Sequence, residues 1–237
     1  MKSAGQAPAV SLRELEVAFS RRQVLAIDAL DLNQGSIVLL TGANGSGKTT
    51  LLKVLAGLVT PQGGTISCDG SGMSISAAMD YWRGRHIYLH QQPYLFDTTV
   101  AANIGYGLKL RGQSRVQRDR QIKAALQWAR LDHLADRSTH TLSTGERQRI
   151  ALTRAKLLNP AALLVDEIIA NMDAASRVQC HELLSELSRA GVTIVVASHE
   201  TGQFEDIANF HVSLENGRLS SDTRSAEIIP IDRQQST

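Results

Sequence analysis

An apolar run, Ile37 to Leu40, leads within two residues into Gly42-Ala43-Asn44-Gly45-Ser46-Gly47-Lys48-Thr49. These eight residues fit G-x-x-x-x-G-K-[ST] at every fixed position. Behind them, Thr49 to Leu55 reads as a helix. The chain satisfies all three segments by running a buried strand into a tight loop and out through a helix N-terminus. Glycines let that backbone wrap close to an anion, so that successive N–H groups and the positive helix end face it. Lys48 would then reach the β- and γ-phosphates of a nucleotide, and the Thr49 hydroxyl would bind Mg²⁺.

Two further runs, Ala161 to Val165 and Val192 to Ala197, are apolar without alternation, as strands buried on both faces are. They end at Asp166 and Glu167, and at Ser198 and His199. In open α/β sheets the ligand crevice lies beyond the carboxyl ends of the strands, so three strand ends point at one crevice. Helical spacing links the strands: Ile122, Ala125, Leu126 and Ala129 within Val116 to Leu131, and Cys180, Leu183, Leu184 and Leu187 within Asp173 to Ala190. Cys180 therefore reads as a core residue. Alternating strands and helices predict an α/β fold with a mostly parallel sheet. From about 93 to 159 strand signal is nearly absent, which predicts a helical subdomain inserted into a single 1–237 domain. Asp222 to Thr237 is expected to be a frayed tail.

Asp166, closing an apolar strand downstream of a phosphate loop, is expected to hold Mg²⁺. Glu167, one residue on, is placed to polarise an attacking water. Composition excludes other classes. The 237 residues are 43% hydrophobic with a net charge of +2, and Arg111 to Arg130 reads as a solvated helix face, so no nucleic-acid partner is expected. No apolar run approaches the ~18–20 residues of a membrane span, and the first residues carry no secretory-type stretch. Cys68 and Cys180 make neither a disulfide framework nor a metal cluster, and His86 with His90 lacks further ligands.

With Leu142-Ser143-Thr144-Gly145-Glu146-Arg147-Gln148-Arg149, about twenty residues before Asp166, almost the whole chain resembles the ATP-binding subunit of an ABC transporter. This segment is similar to the family signature LSGGQ-x-QR, with Thr144 and Glu146 in place of a glycine and the glutamine. Read from the residues alone, Ser143 and Glu146 form a capping box that opens a helix. The resemblance implies a phosphate-loop NTPase sheet core, the helical insertion, and an N-terminal antiparallel β-subdomain. It implies Gln91, in Leu89-His90-Gln91-Gln92-Pro93, as the Q-loop glutamine near the γ-phosphate and Mg²⁺, and His199 as the switch histidine. Phe19 falls where the family stacks an aromatic on adenine, and Thr50 completes the phosphate cradle of residues 42–49. Asp173 corresponds to the D-loop aspartate. Where the family reads E-P-T-S-A-L-D, this chain reads Glu167-Ile168-Ile169-Ala170-Asn171-Met172-Asp173, which removes the hydroxyl used across the dimer.

The same resemblance implies ATP hydrolysis in a two-fold dimer, where Ser143, Gly145 and Glu146 of one subunit meet the γ-phosphate held by the other. Separate permease subunits would tie the chain to the cytoplasmic face of the inner membrane, with a solute-binding protein acting through them. The run Val100 to Gly112 is similar to importer cassettes for inorganic oxyanions such as tungstate or molybdate. A non-transport ABC ATPase and an exporter subunit are the alternatives. Tyr94, Leu95 and Phe96, following Pro93, are expected at the surface as a permease contact.

Overall fold

The computed structural model of the protein describes residues 7–168, 172–199 and 201–219, and the backbone of 229–230. Ile169 to Asn171 of the altered D-loop and, that backbone apart, the expected tail from Asp222 lie outside the described residues. Two compact units divide the chain. The first holds the residues up to Tyr88, Ala161–Asp166 and those from Ser188 onward; the second holds Leu89–Pro160 and Glu167–Leu187.

In the first unit, Val10 and Leu12, then Leu15 and Val17, point into the core along β1 (Val10–Phe19). The extra residue between the two pairs is absorbed near Glu14, whose φ of 51° accompanies a register shift. β1 turns into β2 (Arg22–Leu32) through Ser20 and Arg21, both at positive φ, the conformation of a tight two-residue hairpin. Next come β3 (Ile37–Thr41), α1 (Lys48–Leu55), β4 (Gly63–Cys68), β5 (Ser71–Met73), α2 (Ile75–Trp82) and β6 (His86–Leu89). β1, β2, β4 and β5 form one antiparallel sheet in the order β2-β1-β4-β5, the expected N-terminal β-subdomain.

The remaining strands are β7 (Ala162–Asp166), β8 (Thr193–Ala197), β9 (Phe210–Glu215), β10 (Arg218–Leu219) and β11 (Ile229–Pro230). With β3 and β6 they make the second sheet, ordered β10-β9-β3-β8-β7-β6, with β11 paired to β9. Every residue of β3, β7 and β8 is buried, and the three run parallel, as their two-faced apolar composition requires. Leu51, Leu52, Val54 and Leu55 of α1 share one core with Val38 and Leu40 of β3, Leu164 of β7 and Val195 of β8. Leu15, Val17, Leu25 and Ile27 of the antiparallel sheet belong to the same core.

The second unit carries α3 (Val100–Leu110), α4 (Arg115–Trp128), α5 (Thr144–Lys156) and most of α6 (Ala174–Arg189). Hydroxyl side chains start three of them: Thr99, Ser114 and Ser143 each accept from an amide three residues on. α6 is fastened to the C-terminal end of α4. Trp128 Nε1 donates to Glu186 at 2.5 Å, and Arg130 pairs with Glu182 at 3.0 Å. Cys180, Leu183, Leu184 and Leu187 are buried together on α6, and burial pushes the Cys180 thiol up to about 12, so it is a packing group. Among the described residues no helix is long and apolar enough to cross a membrane.

One surface expectation is overturned. Tyr94 is exposed, but Leu95 is only 8% accessible and Phe96 is half-buried. Asn103, fully buried, accepts from the Phe96 N–H at 2.8 Å and donates to the Phe96 carbonyl at 3.0 Å, which turns the segment inward. The Phe96 ring then packs between Tyr94 and Tyr106, with centroids 5.4 and 4.3 Å away.

Candidate functional site

The carboxyl ends of β3, β8 and β7 lie at one edge of the parallel sheet. Residues 42–47, His199 and Asp166 follow or close those strands. The loop is tied to β2 through Gly217. The Ala26 N–H of β2 donates to the Gly217 carbonyl at 2.8 Å, and the Gly217 N–H donates to the Ser46 carbonyl at 2.9 Å. Gly42, at φ 147°, lies against the Leu214 carbonyl so closely that a Cβ there would collide with backbone. α1 then opens at Gly47 with no side-chain cap and no acidic residue in its first turn. Its positive end and first amides, those of Lys48, Thr49 and Thr50, are therefore offered to an anion rather than to the protein's own groups.

Lys48 is buried, and its Nζ donates to the Gly42 carbonyl at 2.7 Å and the Ala43 carbonyl at 3.2 Å, which centres the ammonium over the loop. Ser46 Oγ is buried with no hydrogen-bond partner among the described residues, a polar atom left over where phosphate oxygens would need one. Thr49 Oγ1 donates to Asp166 Oδ2 at 2.8 Å. The structure thus joins the loop hydroxyl to a carboxylate 117 positions away. The sequence left a third member of this group unread: the Tyr88 hydroxyl of β6 donates to the same Asp166 oxygen at 2.6 Å. Burial, then the bond to Asp166 and its charge, hold the Tyr88 phenol well above its ordinary range, so it stays protonated and donates. Hydroxyl and carboxylate oxygens at this spacing are a hard-donor set that suits Mg²⁺ with part of its hydration shell retained.

His199 is exposed, two residues past β8. Phe19 sits at the β1–β2 hairpin tip with its ring half-exposed (49%), so it is not a core residue. The second unit carries the other candidates: Gln91, Ser143, Gly145, Glu146, Glu167 and Asp173. Glu167, next after Asp166, takes φ 52°, a left-handed conformation uncommon for a non-glycine residue. The capping box is formed: Ser143 Oγ accepts from the Glu146 N–H at 3.3 Å, and the Ser143 N–H donates to Glu146 Oε2 at 2.7 Å. Gln148, buried one turn into α5, donates through Nε2 to the Gln91 carbonyl at 2.5 Å and ties the Q-loop to the signature helix. Asp173 caps α6, its carboxylate accepting from the Ser176 N–H at 2.8 Å and the Ser176 hydroxyl at 2.7 Å. Those bonds hold its carboxyl below the usual range. Gln148 lies within the signature-like segment, but nothing in the sequence pairs it with Gln91, and Ser176 bears no mark separating it from an ordinary helix residue.

The sequence profile of the ABC transporter family matches residues 25–170. The chain belongs to that family, as an ATP-binding domain. It is 34% identical over 222 residues to the Fe(3+) ions import ATP-binding protein FbpC of Pasteurella multocida (strain Pm70), an alignment covering 92% of this chain and 62% of that protein. It is 34% identical over 212 residues to the probable sulfate/thiosulfate import ATP-binding protein CysA of Chlorella vulgaris, covering 89% of each. The fold is also that of cbiO1 from Clostridium perfringens, part of the ABC transporter complex cbiONQ, with a TM-score of 0.82 at 23% identity over 90% of this chain and 87% of the other. The chain spans about three-fifths of the length of the Pasteurella protein and of several other relatives it matches.

Proposed function

We propose that this chain binds and hydrolyses Mg-ATP as the motor subunit of a bacterial importer. The observation that carries the reading is the bond between Thr49 and Asp166, which joins the end of the phosphate loop to the carboxylate expected to serve the metal. The resident Mg²⁺ would be held by Thr49 and Asp166, with Gln91 as the resemblance implies, and would neutralise charge on the phosphates. Lys48, the amides of residues 42–50 and the uncapped helix end bind and orient the triphosphate; Phe19 offers a face for adenine. Glu167 orients a water and takes its proton as the water oxygen bonds the γ-phosphorus. The bond from that phosphorus to the bridging oxygen breaks, and ADP and phosphate result. His199 steadies the γ-phosphate.

Ser143, Gly145 and Glu146 open a helix whose positive end serves the nucleotide of a second subunit. A two-fold dimer supplies two such sites at once. Asp173 lies at the start of α6 in the same unit. Separate permease subunits, and a solute-binding protein acting through them, would hold the chain at the cytoplasmic face of the membrane. That relatives are named for sulfate/thiosulfate import supports an inorganic oxyanion as the solute.

Glu167→Gln tests the reaction. ATP binding should persist while phosphate release falls by about two orders of magnitude or more, the scale of a lost general base. Near-normal phosphate release would remove Glu167 from catalysis.

A further inference from the structure

Asp166 is buried at the end of β7, and both of its described side-chain hydrogen bonds fall on one oxygen. Oδ2 accepts from Thr49 Oγ1 at 2.8 Å and from the Tyr88 hydroxyl at 2.6 Å. The two donors differ in what carries them. Thr49 stands in the first turn behind the phosphate loop and would turn its own oxygen toward a bound metal ion. Tyr88 stands in β6, a strand of the sheet that also contains β7. The carboxylate torsion is broad and two-fold, so one donor leaves the plane free to swing. A second donor on the same oxygen fixes that plane, so that Oδ1 would be the oxygen offered to a bound cation.

We propose that Tyr88 is a positioning residue for the metal-binding carboxylate, holding Asp166 in one orientation from the sheet while Thr49 turns to the ion. The inference rests on the reading above, in which Thr49 and Asp166 hold Mg²⁺ beside the nucleotide. Tyr88 does not touch the substrate; it acts through Asp166. Its hydroxyl is separable from its ring, which has Lys53 Nζ 6.0 Å from its centroid. Tyr88→Phe keeps that ring contact and removes the donor alone.

The test uses the full chain with ADP, reading Mn²⁺ binding by electron paramagnetic resonance and ADP binding in EDTA by calorimetry. Tyr88→Phe should weaken Mn²⁺ binding to the protein–ADP complex on the order of tenfold, as loss of a hydrogen bond to a charged group implies. ADP affinity in EDTA should stay within about twofold of the native protein, a difference well under 1 kcal/mol. Two results would overturn the proposal: unchanged Mn²⁺ affinity, or a loss of metal-free ADP affinity as large as the Mn²⁺ effect, the mark of a merely structural role. Asp166→Asn in the same assay separates the two levels. If it bound Mn²⁺ as the native protein does, the assignment of Asp166 to the metal would itself fail, whatever Tyr88→Phe had shown.

Discussion

Replacing Gly145 by Ala puts a methyl group into the start of α6. A Cβ built on Gly145 overlaps both Oγ and Cβ of Ser176, so rotating the serine hydroxyl does not clear it; backbone must move. The signature glycine is thus required by packing within its own unit, independently of any nucleotide. Overpacking of this kind costs about 1–3 kcal/mol, while Ala gains at most ~1 kcal/mol over Gly in helix propensity, less in the first turn. The expected net loss is about 1–2 kcal/mol. Ser176→Gly alone should cost about 1 kcal/mol through helix propensity and a weaker start to α6. In the double variant the overlap is gone, so Gly145→Ala becomes neutral or favourable, and the coupling should be about 1–3 kcal/mol in favour of the pair. Equilibrium urea unfolding of the four proteins without nucleotide, at matched slope, measures it. Additivity to within about 0.5 kcal/mol would mean that the chain absorbs the methyl elsewhere, and the steric account of Gly145 would be wrong.

Leu95→Ser should lower stability by about 2–4 kcal/mol, because a side chain the structure buries loses its packing; a melting temperature unchanged from the native protein would return Leu95 to the surface. His86 is buried with Nδ1 2.6 Å from the Leu55 carbonyl, and burial pushes the imidazole below its ordinary value. The unfolded chain therefore binds the proton more readily, and stability is full above the unfolded value of about 6.5 and declines as pH falls through it. Urea unfolding at pH 7.5 and 5.5 should show a smaller loss for His86→Phe than for the native protein; equal losses would clear His86 of the effect.

The features legible in the sequence are those built by neighbours along the chain. The phosphate loop, the capping box of Ser143 and Glu146, and the buried strands ending at Thr41, Asp166 and Ala197 each depend on residues within a few positions, whose types suffice for the local geometry. The site's connecting contacts are of another kind. Tyr88 finds Asp166 78 positions away, and Gln148 finds Gln91 57 positions away. Ser176 fills the space that makes Gly145 a glycine. No periodicity records these pairs. Leu95 shows the same limit: proline suggested an open segment, but Asn103 on α3 folds it back by grasping the Phe96 backbone. Side-chain type and spacing determined which elements would form and which residues carry charge or hydroxyls. The order of strands in the sheet and the seating of α5 and α6 decided which of those groups meet, because hydrogen bonds and steric overlap act over a few ångströms of space, however many residues separate the partners.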